Sequence, residues 1–384
     1  MSEVLLDVTR LCGRFLNKRI PTGVDRVSQA YVQHFGNHAR AVFKIGNYNM
    51  VVSRSGSLKL FDSLLNNTID IAPLIGRLHH CDCFSALWGH NFAGSFLFNM
   101  GHSGLDQNAY QARLKKLGVR PLILVHDLIP LSHPEYCRPG EMDRHLSRMN
   151  NVLRFASGVI TNSQITLDDL GGFAQKTALP IPPSVAAPLA AAKLPRPSST
   201  RPVLHPYFVV LGTIEPRKNH LLLLHIWRKL IARLGEKAPR LVIIGQRGWE
   251  CENVVDFLDR CESLRGYVME LSTCSDADLS TYLYHCQALL FPSFAEGYGM
   301  PLMEALTFGV PVIASELPVF REIAGSIPDY LDPLDSIGWM MRIEAYAQVT
   351  HPYRTAQADR RSNFEPPTWS RHFQLVEELM ERLS

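Results

Sequence analysis

A chain of 384 residues exceeds what one hydrophobic core ordinarily organises, so two domains of roughly 150–200 residues each are expected. Its 46% apolar and 20% charged content is that of a soluble globular protein and excludes wholesale disorder. The net charge of +3 is unevenly spread, with 21 Lys/Arg against 13 Asp/Glu in residues 1–200 and 18 against 23 in residues 201–384.

A basic half beside an acidic half suggests that one side meets an anionic ligand or surface. No dense basic stripe with interleaved aromatics is present, so nucleic acid is not an expected partner. The start, MSEVLLDVTRLCGR, does not read as a signal peptide. No run approaches the roughly 20 apolar residues that span a bilayer. Eight cysteines occur without a CxxC pair, Cys81 and Cys83 being two apart. Neither a disulfide framework nor a structural zinc site is expected, and a reducing cytoplasm is the expected location.

Along the chain, short apolar runs alternate with longer helical patterns. Val4–Val8, Leu122–Val125 and Gly158–Thr161 read as strands in the first half, and Tyr207–Leu211, Leu241–Ile244, Ala288–Phe291 and Val310–Ala314 in the second. Continuous rather than alternating apolar runs mean strands covered on both faces, the signature of parallel α/β sheets. Residues 1–180 are thus expected to form a first domain and residues 207–366 a second, joined by a Pro-rich linker over 181–206. The segment 367–384 has helical spacing at Phe373, Val376, Leu379, Met380 and Leu383, and is expected to pack back towards the first domain. Each half reads as a doubly wound sheet with its ligand site beyond the C-terminal strand ends, the two facing a cleft. Arg113, Lys115, Lys116 and Arg120 are expected on one helix whose basic face can rest on an anionic membrane leaflet.

Five stretches carry chemistry. In Ile20-Pro21-Thr22-Gly23-Val24-Asp25-Arg26-Val27, a Thr-Gly turn opens a helix and can approach a phosphate or sugar closely. In Leu124-Val125-His126-Asp127, the histidine directly follows a buried strand, at the edge where a sugar hydroxyl could be bound. In Gly212-Thr213-Ile214-Glu215-Pro216-Arg217-Lys218-Asn219-His220, two adjacent cations at a strand-to-helix turn can hold a pyrophosphate and stabilise it as it departs. Arginine offers a planar fork and lysine a point charge. In Phe294-Ala295-Glu296-Gly297-Tyr298-Gly299-Met300-Pro301-Leu302-Met303-Glu304, two acids flank a helix start with proline at its first position. The amides of Gly297–Met300 favour anions and polar oxygens there. Carboxylates at two depths around such a start suit a polyhydroxylated, negatively charged ligand, and a sugar nucleotide fits. In Ser315–Gly325, Glu322 can meet a base, a ribose or the Glu296 loop, or pair with Arg321. Neither HExxH nor GxSxG occurs, so metalloenzyme and hydrolase readings lack support.

Together these motifs resemble the family-4 retaining glycosyltransferases of the GT-B fold, two Rossmann-like domains facing a cleft. The resemblance is strongest from Leu211 to Gly325, in LGTIEPRKNH, FPSFAEGYGMPLMEAL and ASELPVFREIAG, and continues more weakly through PTGVDRV, VHDLIPLSHPEY and ITNSQIT. The TIEPRKNH variant is similar to mannosyltransferase-type members that extend bacterial surface polysaccharides. The resemblance implies Glu296 beside the donor hexose, amides of Gly297, Tyr298, Gly299 and Met300 on its hydroxyls, Glu304 on the ribose and Arg217 and Lys218 on the diphosphate. Gly212, Thr213 and Glu322 would complete the donor site. It places His126 at the donor sugar, and Thr22 and Gly23 on the phosphate or acceptor side. It further implies metal-independent transfer of a hexose, with mannose from GDP-mannose the best match, to a glycan or lipid-linked acceptor. The location would be the cytoplasm or the inner face of the membrane. Two positions depart from the family pattern: Thr213 stands where many members have arginine, and the first loop has one glycine, Gly23, instead of two. A nucleotide-sugar 2-epimerase or an inactive sugar-nucleotide scaffold remains as an alternative, and donor hydrolysis without acceptor separates enzyme from scaffold.

Overall fold

The computed structural model describes residues 3–17, 22–45, 48–66, 70, 72–76 and 92–384. Its contacts divide the chain into two compact units. The first comprises Met1–Leu131, Gly140–Leu189 and Thr368–Ser384; the second comprises Ser132–Pro139 and Ala190–Pro367.

The sheet of the first unit has strands β1 (Val4–Asp7), β2 (Ala39–Ile45), β3 (Tyr48–Val51), β4 (Phe96–Asn99), β5 (Arg120–Val125), β6 (Gly158–Thr161) and β7 (Ser184–Ala186), in the order β3-β2-β1-β4-β5-β6-β7. All described pairings are parallel except β2–β3. Only two residues separate Ile45 from Tyr48, and a parallel return needs a crossover of about a dozen residues. Strand β7 lies inside the stretch expected to be a plain linker, pairing Val185 with Ile160. Prolines flank Ser184–Ala186 without interrupting it, and proline is tolerated at such a sheet edge. Arg120 also departs from expectation. It opens β5 instead of joining Arg113, Lys115 and Lys116 on the helix Asn108–Leu117, because Gly118 ends that helix at φ +64°. Its guanidinium donates to the carbonyl of Leu383.

The helix Trp369–Leu383 buries Phe373, Val376 and Leu379 within the first unit. His372 anchors it: Nδ1 donates to the Ala187 carbonyl at 3.0 Å, so Nε2 accepts from the Tyr31 hydroxyl, also at 3.0 Å. The ring is fully buried, and that burial pushes its pKa down to about 4.

In the second unit, β8 (Tyr207–Leu211), β9 (Arg240–Ile244), β10 (Val268–Leu271), β11 (Leu289–Phe291), β12 (Val312–Ser315) and β13 (Asp329–Leu331) form an all-parallel sheet ordered β10-β9-β8-β11-β12-β13. Strand order reverses between β8 and β11, as it does between β1 and β4 in the first unit. Loops diverge at such a point, which leaves a crevice at the carboxyl end of the sheet. The core beneath holds Trp227 and Trp339 without exposure, each indole N–H donating to a backbone carbonyl at 2.9 Å. No helix among the described residues is long and apolar enough to cross a membrane.

Candidate active site

The switch point of the second unit brings the turn after β8 against the loop after β11. Gly212 leaves the sheet at φ +140°, and a Cβ there would lie 3.3 Å from Lys218 Cε. Glycine therefore lets the lysine stem lie along the backbone. A 3-10 turn, Pro216–Lys218, follows, and Asn219 at φ +56° reverses the chain into the helix His220–Leu234. The Asn219 side-chain amide donates to Pro333 O at 2.8 Å and fixes the turn. From the other side, the Phe294 amide donates to Arg217 O at 2.8 Å, which ties the two loops together.

Their side chains form one ion cluster. Lys218 Nζ lies 2.6 Å from Glu296 Oε1, and Arg217 Nη1 lies 2.7 Å from Oε2. Ser293 Oγ donates to Oε1 at 2.7 Å, while Arg217 also reaches Ala295 O at 3.0 Å and Glu215 Oε1 at 2.7 Å. Burial alone would neutralise Glu296, but Arg217 and Lys218 outweigh it and hold the carboxyl at about 2. Glu215 moves the other way: its burial raises its pKa against the pull of Arg217. Lys218 stays below its ordinary value because it is buried, although Glu296 pulls it back up. The sequence suggested cations facing a diphosphate and Glu296 facing a sugar. The structure joins all three side chains in one ion cluster.

Beyond Glu296 the helix Met300–Thr307 begins, with Gly299 at φ +117°. A Cβ on Gly299 would come within 2.8 Å of Phe320 Cε1, so only glycine fits this approach. Gly297 is part-buried, while Tyr298 and Glu304 are buried at 4% and 5% exposure. Glu304 thus lies buried within the helix Met300–Thr307. Thr213 is half-buried beside Gly212. Glu322 is exposed on the helix Pro318–Ala324, and its neighbour Arg321 forms a fork with Glu316 at 2.6 and 2.8 Å.

In the first unit, His126 follows β5, and its Nε2 lies 2.7 Å from Met100 O. A carbonyl only accepts, so Nε2 carries the proton and Nδ1 is left as an acceptor. Burial lowers the pKa of the ring and keeps it neutral. His102 and His145, which sequence reasoning missed, belong to the same cluster. The His102 ring lies 5.5 Å from His126 and 6.0 Å from His145. Their Nε2 atoms reach Leu124 O and Asp127 O, and burial lowers both pKa values. His102 lies in the loop after β4, a strand that was not read from the sequence. It sits at φ +57°, a conformation that non-glycine residues adopt at a cost.

Asp7 and Asn99 end the two strands at the switch point of this unit, and sequence reasoning missed them too. The Tyr110 hydroxyl donates to Asp7 and receives a bond from Asn99. Burial raises the Asp7 carboxyl to about 6. Thr22 precedes the helix Gly23–Phe35, and its amide and hydroxyl both donate to Asp25 Oδ2 at 2.7 Å. Asp25 is fully buried between Arg10 and Arg14, which makes the Thr22–Gly23 turn a capped helix start. Ile20 and Pro21 lie outside the described residues, as do Cys81 and Cys83. Among the described residues no group of three or more His, Cys, Asp or Glu is arranged to hold a metal ion.

Residues 195–326 match the family described as Glycosyl transferases group 1. The chain is 26% identical over 286 residues to the serotype-specific mannosyltransferase WbdA of Escherichia coli, covering 68% of this chain and 34% of the relative. It is 30% identical over 228 residues to the O-antigen chain mannosyltransferase B of Escherichia coli, covering 56% of this chain and 58% of the relative. Among solved structures, sucrose-phosphate synthase from Thermosynechococcus elongatus superposes with a TM-score of 0.66 at 14% identity, covering 100% and 99% of the two chains. The Anabaena protein HepE, solved in complex with UDP, superposes with a TM-score of 0.65 at 15% identity over the full length of both. The chain has the GT-B fold, and its residues 195–326 match the model of glycosyl transferases group 1.

Proposed function

We propose that this protein is a retaining glycosyltransferase that moves a hexose from a nucleoside-diphosphate sugar to a hydroxyl. The observation that carries this reading is the buried cluster of Arg217, Lys218 and Glu296 at the switch point of the group 1 domain. The diphosphate binds to Arg217 and Lys218, displacing part of their pairing with Glu296, which then turns to the hexose hydroxyls. Gly297, Tyr298, Gly299 and Met300 offer backbone amides, with Gly212 and Thr213 on the phosphate side. Glu304 takes the ribose hydroxyls, and Glu322 lies towards the base.

As the anomeric C–O bond breaks, its electron pair leaves on the diphosphate, and the two cations stabilise that charge. In this reading they supply the positive charge that a metal ion would otherwise give. The acceptor oxygen attacks the same face of the oxocarbenium-like centre and passes its proton to a leaving phosphate oxygen. His126, a neutral acceptor through Nδ1, takes a hydrogen bond from a donor-sugar hydroxyl, and the Thr22–Gly23 turn serves the acceptor side.

The sugar is proposed to be mannose and the donor GDP-mannose, because the relatives named above are mannosyltransferases. The proposed acceptor is a glycan or lipid-linked hydroxyl in surface-polysaccharide synthesis, a reading supported by the likeness to an O-antigen chain mannosyltransferase. The helix carrying Arg113, Lys115 and Lys116 would meet anionic lipid at the inner face of the membrane. Thermal-shift screening of GDP-, UDP-, dTDP- and ADP-sugars tests the donor. A ligand bound only by the folded state raises its melting temperature in proportion to RT ln(1 + [L]/Kd). If no sugar nucleotide shifts the melt, the reading fails.

A further inference from the structure

The segment Ser132–Pro139 has both chain neighbours, Leu131 and Gly140, in the first unit, yet its own contacts belong to the second. It contains His133-Pro134-Glu135-Tyr136, a motif that the donor site does not use. The ring of Tyr136 stacks on Phe294, with centroids 5.3 Å apart and planes 10° from parallel. His133 also stacks on Tyr136, at 5.9 Å and 12°. The backbone is held as well. Trp249 Nε1 donates to Tyr136 O at 3.3 Å, and Arg138 lies 4.9 Å over the Trp249 ring. The segment thus ends in an aromatic plate laid on Phe294.

Phe294 stands two residues before Glu296, and its amide is bonded to Arg217 O. The next carbonyl, Ala295 O, accepts from the Arg217 side chain. Phe294 is part-buried, and Tyr136 is stacked on its ring. A loop fixed at its ring, its amide and the following carbonyl has little freedom left at the carboxylate it carries. We propose that Tyr136 is a positioning residue for Glu296, holding the 293–296 loop so that the carboxylate meets both Arg217 and Lys218. Its consequence for catalysis rests on the donor-site reading above; its consequence for the carboxylate does not.

Glutamate labelled with carbon-13 at the side-chain carboxyl, with Glu296 assigned from a Glu296→Gln variant, reads the effect directly. Wild-type Glu296, held down by Arg217 and Lys218, is expected to titrate at about 2. Tyr136→Ala is expected to raise that midpoint by at least about one unit, because the cations hold the carboxylate less well. Tyr136→Phe keeps the ring and is expected to restore the wild-type value, which simple loss of stability would not do. An unchanged Glu296 titration in Tyr136→Ala overturns the proposal. If that variant does not fold, Phe294→Leu removes the other ring, and the same comparison decides. With GDP-mannose as the probe donor, Tyr136→Ala should lower kcat for hydrolysis about tenfold while KM moves less. Failure of wild-type protein to bind GDP would instead overturn the donor reading and leave the titration to judge Tyr136.

Discussion

Replacing Glu296 by glutamine should weaken the free protein and strengthen its grip on a nucleoside diphosphate. The carboxyl is held at about 2 against an ordinary 4.5, inside a site where its side chain is 7% exposed. At 1.36 kcal/mol per unit, that difference corresponds to about 3 kcal/mol of stability. The sign follows from a folded pKa below the unfolded one: the contribution is complete above about pH 4.5 and fades as pH falls towards 2. Glutamine also leaves Lys218 buried without its carboxylate, a change that costs on the order of 3–5 kcal/mol at other buried pairs. For a unit of this size each kcal/mol moves the melting temperature by roughly 2–4 °C, so a cost of about 3–5 kcal/mol predicts a drop of about 6–20 °C at neutral pH. GDP, bringing two phosphates to the vacated cations, should recover more of the melt in the variant than it adds to wild type. Scanning fluorimetry with and without GDP checks both halves. A variant that melts with wild type, or that gains less from GDP, would refute the idea that Glu296 occupies the anion position.

Lys218→Ala should cut transfer by a hundredfold or more while the protein stays folded, measured as sugar released or transferred from GDP-mannose (on the order of the loss when one charge-stabilising donor is removed). Full activity would remove Lys218 from the diphosphate site. Gly299→Ala forces a Cβ to within 2.8 Å of Phe320 at a φ of +117°, and should cost about 1–3 kcal/mol, read by urea unfolding. His372 is buried with a pKa near 4, so the stability it contributes is whole above pH 6.5 and declines as pH falls towards 4. Between pH 7.5 and 4.5 the loss should be about 2.5 kcal/mol, and His372→Gln should remove that part of the slope.

Much of the fold was legible because buried parallel strands announce themselves as unbroken apolar runs. Tyr207–Leu211 reads the same way in sequence and structure, and so does the helix Trp369–Leu383. Local chemistry was legible too: the run Gly212–His220 reads as a strand-to-helix turn and Pro301 as part of a helix start, and the structure has both. What sequence could not supply is which loops meet. The Lys218–Glu296 contact spans 78 residues and follows from the pairing of β11 with β8, which sets the loops after these two strands side by side. Reading each motif by itself therefore gave Glu296 a sugar and Lys218 a phosphate, and missed that they hold each other. The same blindness hid His102 and His145, which matter only as neighbours of His126. It also hid Tyr136, which comes before the Pro-rich stretch but packs on a residue after it. Arg120 was misplaced for a local reason: Gly118 ended its helix two residues earlier.

The helix Trp369–Leu383 also bears on how the protein is made. Its Phe373 ring lies 5.1 Å from Tyr31, and His372 bonds to Tyr31 and to the backbone of Ala187. Those partners leave the ribosome long before residue 369 is synthesised. Tyr31 and Phe35 must therefore wait, with an uncovered apolar face, while the entire second unit emerges and folds. Chains that stop before residue 369 should leave that face uncovered and be aggregation-prone, even when they retain residues 195–326 in full.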